Sequence, residues 1–217
     1  MGGDGVRGGE GRPALRHAVA VLAGALAFGM IAALIKGDRY GLRDTIGNLS
    51  TPWLLVAFLP ALHTRDPRRG AVTGLAATLT ALLGFYLVVA VTTDDHMPTL
   101  QTHLEHVLRK NRLWLIAGVF SGPVMGALGA LVRGSAADVW RAALRVTGLL
   151  LVLEPVVIVA ARVVPGWREV IHWTLDAAPY LVEAVLGVII LVATLPGRRG
   201  GTARLFGRQQ SARDPLD

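Results

Sequence analysis

Apolar residues run through this chain in long blocks bounded by arginines, not in alternation. The first block goes from Ala18 to Ile35, between Arg16 and Lys36. As a helix it rises about 27 Å, enough to cross a bilayer core, and it exceeds a signal-peptide h-region. The second block, Leu49 to Leu62, is short and holds Pro52 and Pro60. Pro52 suits the first turn of a helix, while Pro60 would free the carbonyl of Val56. Four further blocks follow: Ala71 to Thr93, Leu113 to Val132, Val139 to Ala161 and Ala177 to Leu195. The pattern predicts an all-α fold, a polytopic membrane bundle of six transmembrane helices. Its spans are expected at about 18–36, 49–63, 71–93, 113–133, 139–161 and 177–196. They make up one transmembrane domain, 16–197. Residues 1–15 read as a flexible, Gly-rich basic tail and 198–217 as a basic cytoplasmic tail. Between the third and fourth blocks, Leu100, Leu104, Val107 and Leu108 have amphipathic spacing, which predicts a helix lying on the membrane.

Composition agrees with the pattern. The chain is 53% hydrophobic and 17% charged, with a mean hydropathy of +0.50. A soluble domain spends about a quarter of its residues on charge. A soluble enzyme, a disordered chain and a secreted disulfide scaffold are therefore excluded as classes. Cysteine is absent, which removes thiolate metal sites and Cys nucleophiles. The net charge is +7 and the pI about 10.9. The arginines sit at block ends and in both tails, so they orient helices and meet anionic lipid; nucleic acid is not expected as a partner. With the N-terminus in the cytoplasm, 14 of the 22 lysines and arginines fall inside. The expected location is thus a bacterial plasma membrane with both termini cytoplasmic. The bacterial source is suggested by arginine far outnumbering lysine amid abundant Ala, Gly and Val.

Two carboxylates stand out. Glu154 and Glu183 lie within apolar blocks, where ionisable groups are costly and face protein or water. Counted from the outer end of their helices, both sit at similar depth. A pair there would bind a cation, relay a proton or hold an amine; alternatively, each bonds neighbouring groups and holds the bundle together. Pro155 follows Glu154 and would free the carbonyl of Leu151, and Pro179 would free that of Leu175 if the helix already runs there. At the mouth of the short second block, Asn48, Ser50 and Trp53 are candidates to line an outward pocket. Their plainer roles are helix caps for Asn48 and Ser50 and an aromatic-belt position for Trp53. Arg141 and Arg145, four apart on one face, are candidates to dock a cytoplasmic or membrane transport partner, or else anchor at the interface. Small residues at Ala25-x3-Gly29-x3-Ala33 and Gly122-x3-Gly126, with Gly129 and Ala130, predict close helix contacts. His103 and His106 share a face, but with Asp94, Asp95 and His96 they form no closed zinc motif, so no metal and no cofactor are expected. Ser121, in Gly-Val-Phe-Ser-Gly, falls inside a membrane helix and is no nucleophile elbow. No enzymatic activity is expected, and the oligomeric state is left open.

The run Gly41-Leu42-Arg43-Asp44, then Gly47-Asn48-Leu49-Ser50-Thr51-Pro52-Trp53-Leu54-Leu55-Val56-Ala57-Phe58, resembles an uncharacterised family of actinobacterial multi-pass membrane proteins, a domain of unknown function. The resemblance covers about residues 18 to 195 and brings no catalytic assignment. More loosely, the chain is similar to the substrate-binding subunits of energy-coupling-factor vitamin transporters. That likeness implies six helices, both termini inside, an outward pocket near the first loop and a small-x3-small docking pattern, here Ala23 and Ala27. The reading that results is a small-solute or ion binding subunit of a transport system using intramembrane carboxylates; the alternative is a non-transporting scaffold or assembly protein.

Overall fold

The computed structural model describes residues 11–36, 41–92, 99–164 and 176–195. Among these residues every regular element is helical: α1 Gly11–Lys36, α2 Leu42–Gly47, α3 Ser50–Ala61, α4 Pro67–Thr92, α5 Leu100–Lys110, α6 Arg112–Ser135, α7 Val139–Val163 and α8 Ala177–Ala193. Four stretches are long and apolar enough to cross a membrane: Leu15–Lys36, Pro67–Thr92, Arg112–Ser135 and Val139–Val163. α8 is apolar but shorter, at 17 residues. Large apolar side chains such as Leu83, Phe120, Val159 and Leu181 point outward, as lipid contact requires.

Local signals explain where the helices begin. α1 starts at Gly11, inside the expected tail, because Pro13 is tolerated in a first turn and Ala14 and Leu15 favour helix. α4 opens on Pro67 while the Asp66 carboxylate accepts from the Arg68 amide at 2.9 Å. Asp138 caps α7 through the Arg141 amide at 2.9 Å, and Asp176 caps α8 through Ala178 at 3.1 Å. α8 starts at Ala177, so Pro179 sits in its first turn; Leu175, whose carbonyl it would free had the helix already run there, lies outside the described residues. α5 carries a reciprocal Thr99–Thr102 cap.

Two arginines close helix ends in the other sense. Arg43 donates to the carbonyls of Ile35 (3.0 Å) and Leu34 (2.8 Å), the last turn of α1. Arg145 donates to the carbonyl of Thr194 at 2.6 and 3.2 Å, at the end of α8. Each places a cation at the negative end of a helix whose carbonyls have no intrahelical partner. Gly41, the position before α2, has a φ of 137°, where side chains are strained.

α4 is the hub, packed against α1, α3, α5 and α6. Its glycines set the spacing. A Cβ at Gly70 would overlap the Gly126 carbonyl, one at Gly74 the Gly122 carbonyl, and one at Gly84 the Leu26 carbonyl. From the other side, a Cβ at Gly29 of α1 would overlap the Ala81 carbonyl. The small-residue stripes read from the sequence are therefore internal seams. α7 and α8 form a second close pair, with Gly148 facing Gly187.

α5 differs from expectation. Val107 is buried in a cluster with Ala32, Leu82, Phe85 and Tyr86, and Leu104 and Leu108 pack against it. Its apolar face is thus covered by α4 and the end of α1, because the bundle offers that face an apolar partner at the same end.

α3 also differs. The expected span 49–63 is a helix of 12 residues, about 18 Å long, against a bilayer core of about 30 Å. It is wedged among α4, α6 and α7, with Phe58 fully buried.

Candidate functional site

α3 begins without a side-chain cap of its own. The position before it is Leu49, which has no oxygen to offer. The cap comes from a residue more than a hundred positions away. The Glu154 carboxylate on α7 accepts from the Ser50 amide at 2.5 Å and from the Thr51 amide at 2.6 Å. Glu154 is buried and Thr51 almost completely so. The two amides belong to the positive end of α3, where a carboxylate is a favourable acceptor. Asn48 and Ser50, expected as caps, do otherwise. Asn48 Nδ2 donates to the Asp44 carbonyl (2.9 Å) and carboxylate (3.0 Å), and Ser50 is the first helical residue.

On another side of α3 lies a cavity of about 250 Å³. Asn48, Ser50 and Trp53 line it, as the sequence reading proposed for a pocket. α1 contributes Lys36, α4 Thr78, Leu82, Phe85 and Tyr86, and α6 Trp114, Gly118 and Ser121, with Asn111 at the α5–α6 junction. The cavity therefore lies toward the bundle end that carries α2 and α5. One wall is aromatic: Trp53 meets Phe28 and Phe85 edge-on at 5.1 and 5.5 Å, and Phe85 meets Tyr86 at 5.3 Å. Lys36 sits over the Phe85 ring at 5.9 Å, with its ammonium 3.7 Å from the Asp44 carboxylate.

Thr78 is the informative polar group. It is 5% exposed, and its Oγ1 has no hydrogen-bond partner. Thr73 and Thr92 on the same helix return their hydroxyls to carbonyls four residues back, at 2.9 and 2.8 Å. Thr78 does not. A buried hydroxyl without a partner costs about 1–3 kcal/mol, and here it borders a space that a ligand can fill. Sequence reading missed it because α4 holds several threonines and nothing local separates this one.

Neither Glu154 nor Glu183 lines the cavity. Both carboxylates are buried, Glu154 on α7 and Glu183 on α8, whose helices pack against each other. Of the arginines considered for docking, Arg145 is engaged at the end of α8, while Arg141 is exposed and pairs with Asp138 at 3.3 Å. His103 is buried and His106 exposed, and no group of three or more His, Asp or Glu that could hold a metal occurs among the described residues. Asp94, Asp95, His96 and His172 lie outside the described residues. His63 stacks on His17 at 3.6 Å. Partial burial, then His17 and Arg133, hold it below the usual histidine range.

These features define a membrane protein built of apolar helices around a partly polar cavity. The chain belongs to DUF6518, a family of unknown function, whose model matches residues 8–207. No curated protein and no solved structure matches it.

Proposed function

We propose that this chain is a six-span bacterial plasma-membrane protein, termini in the cytoplasm, that binds a small solute as the substrate-binding subunit of a transport system and is not an enzyme. In this reading α3 and α8 are the two short spans, and the cavity opens to the outside. The observation that carries it is the unpartnered Thr78 hydroxyl on a cavity shared with Asn48, Ser50 and Asn111. A site of few polar groups on an apolar and aromatic wall suits a small solute with an apolar body and one hydrogen-bonding edge. Ser121 lines the same cavity with no imidazole or carboxylate among its described lining residues, which supports binding over hydrolysis. Arg141, the more exposed of its pair, is the residue left to meet a cytoplasmic partner.

The test is thermal unfolding of the detergent-purified protein against a panel of vitamins, nucleobases, amino acids and amines. A ligand at about 100 times its Kd stabilises the folded state by about 2.7 kcal/mol. One class of compound is expected to raise the melting temperature of wild type. Thr78→Val is expected to melt slightly higher without ligand, because an apolar group replaces an unpartnered hydroxyl, and to lose most of the ligand shift. No shift with any compound would turn the account toward the non-transporting scaffold.

A further inference from the structure

The cavity is a slot with two different ends. On α4, Thr78, Leu82 and Phe85 line it at spacings of four and three, so they form one stripe. On α6, Trp114, Gly118 and Ser121 repeat that spacing. The two helices run antiparallel: Gly70 meets Gly126, Gly74 meets Gly122, and a Cβ at Gly118 would stand 3.2 Å from Thr78 Cγ2. Thr78 and Ser121 therefore share one end of the slot, and Phe85 and Trp114 share the other. From 78 to 85 on α4, and from 114 to 121 on α6, the rise is about 10 Å. The Thr78 end is the floor, buried and with an unpartnered hydroxyl. The Phe85 end is the mouth, where Lys36 lies over the ring with 32% of its side chain exposed.

Lys36 is the only charged side chain among the described lining residues, and it is fixed in place. Arg43 ties α2 to the last turn of α1. A Cβ at Gly47 of α2 would stand 2.5 Å from Lys36 Cβ, so α2 packs directly on the lysine stem. The ion-pair partner of Lys36, Asp44, is 3.7 Å away, beyond hydrogen-bond reach, and the same Asp44 oxygen accepts from Asn48 at 3.0 Å. The ammonium thus keeps donors to give to an anion. The start of α3 offers that anion nothing, because Glu154 already holds the Ser50 and Thr51 amides. A single cation with no helix-start amides beside it suits a carboxylate and not a phosphate.

The walls select what joins the two ends. Trp53 meets Phe85 edge-on and Phe85 meets Tyr86 edge-on, so one side of the slot is aromatic. A flat ring continues that series of contacts. On α6, Ala117 and Gly118 carry little side chain and leave width for it. A cavity of about 250 Å³ suits one ring with a group at each end. We propose that the cavity takes a single-ring aromatic carboxylate, held by its carboxylate on the Lys36 ammonium at the mouth and by a hydroxyl or amine at the far end of the ring on Thr78. The proposal rests on the solute-binding reading above, and adds to it the charge, shape and direction of the solute.

Titration calorimetry of the full chain in lipid nanodiscs at neutral pH, with empty nanodiscs as the blank, tests the proposal. The probes are para-hydroxybenzoate, its neutral amide, the cation para-hydroxybenzylamine, and benzoate, which lacks the far hydroxyl. In wild type, para-hydroxybenzoate is expected to bind about tenfold or more tighter than the amide, and the amine not at all. Benzoate is expected to bind more weakly than para-hydroxybenzoate, and that difference to vanish in Thr78→Val. Lys36→Met is expected to weaken para-hydroxybenzoate by about tenfold or more and to leave the amide unchanged, which also shows that the variant is folded. Should Lys36→Met lose both, the wild-type series of acid, amide and amine decides without it. Equal affinity for acid and amide, tighter binding of the amine, or para-hydroxybenzoate binding unchanged in a folded Lys36→Met overturns the proposal. If no aromatic acid binds but another class of compound raises the melting temperature, the proposed ligand class falls and the solute-binding reading stands. If nothing in either set binds, both fall.

Discussion

Glu154→Ala is expected to lower the stability of the purified protein by about 2–4 kcal/mol. The variant leaves the Ser50 and Thr51 amides without an acceptor at a buried helix start. Each orphaned donor costs about 1–3 kcal/mol. One effect works the other way: a group that is costly to bury disappears. It reduces the loss without cancelling it, because the two amides already compensate the Glu154 carboxylate in the native state. The expected drop in melting temperature is roughly 5–10 °C. Glu154→Gln retains one acceptor oxygen but turns an amide donor toward the second N–H, so it falls between. A Glu154→Ala protein as stable as wild type would mean that α3 is capped by something else.

The second large effect lies along the α4–α6 seam. Gly74→Ala and Gly126→Ala are each expected to destabilise by about 3 kcal/mol or more, at the upper end of overpacking costs. At Gly74 the new Cβ would overlap the Gly122 carbonyl and stand 2.8 Å from the Gly126 Cα; at Gly126 it would overlap the Gly70 carbonyl. The obstruction is backbone on both helices, so no side-chain rotation relieves it. Gly24 is the control. A Cβ there meets nothing within 4 Å, and Gly24→Ala is expected to be neutral or to gain up to about 1 kcal/mol from helix propensity. Equal melting temperatures for Gly24→Ala and Gly74→Ala would refute the seam.

The contrast between these positions shows what the sequence carried and what it did not. Helix positions were legible because apolar runs are local signals; α4, α6 and α7 follow them closely, and α1 does so at its C-terminal end. The glycine stripe at 122, 126 and 129 was legible because spacing of four names one helix face. Its partner was not, since Gly70 and Gly74 acquire their role only when α6 lies against them. Glu154 and Glu183 were conspicuous from the cost of charge in an apolar block. Their roles were not legible: the amides that Glu154 holds lie about a hundred residues away, and no local pattern encodes that bond. The same holds for α5, whose amphipathic face fits a membrane surface or a bundle end equally well until α4 is in place.

The most direct test of the account uses the absence of cysteine from the chain, which gives single-cysteine variants a clean background. Ser121 and Phe120 are neighbours on α6, about 14 Å from its start. Ser121 lines the cavity, and Phe120 is 71% exposed on the outer surface of the bundle. Thiol reagents act on the thiolate and so require water at the sulfur. A small membrane-impermeant reagent applied to intact cells is expected to label Ser121→Cys and to leave Phe120→Cys unmodified. Labelling of Phe120→Cys with Ser121→Cys protected would contradict both the membrane placement of α6 and a solute cavity open to the outside.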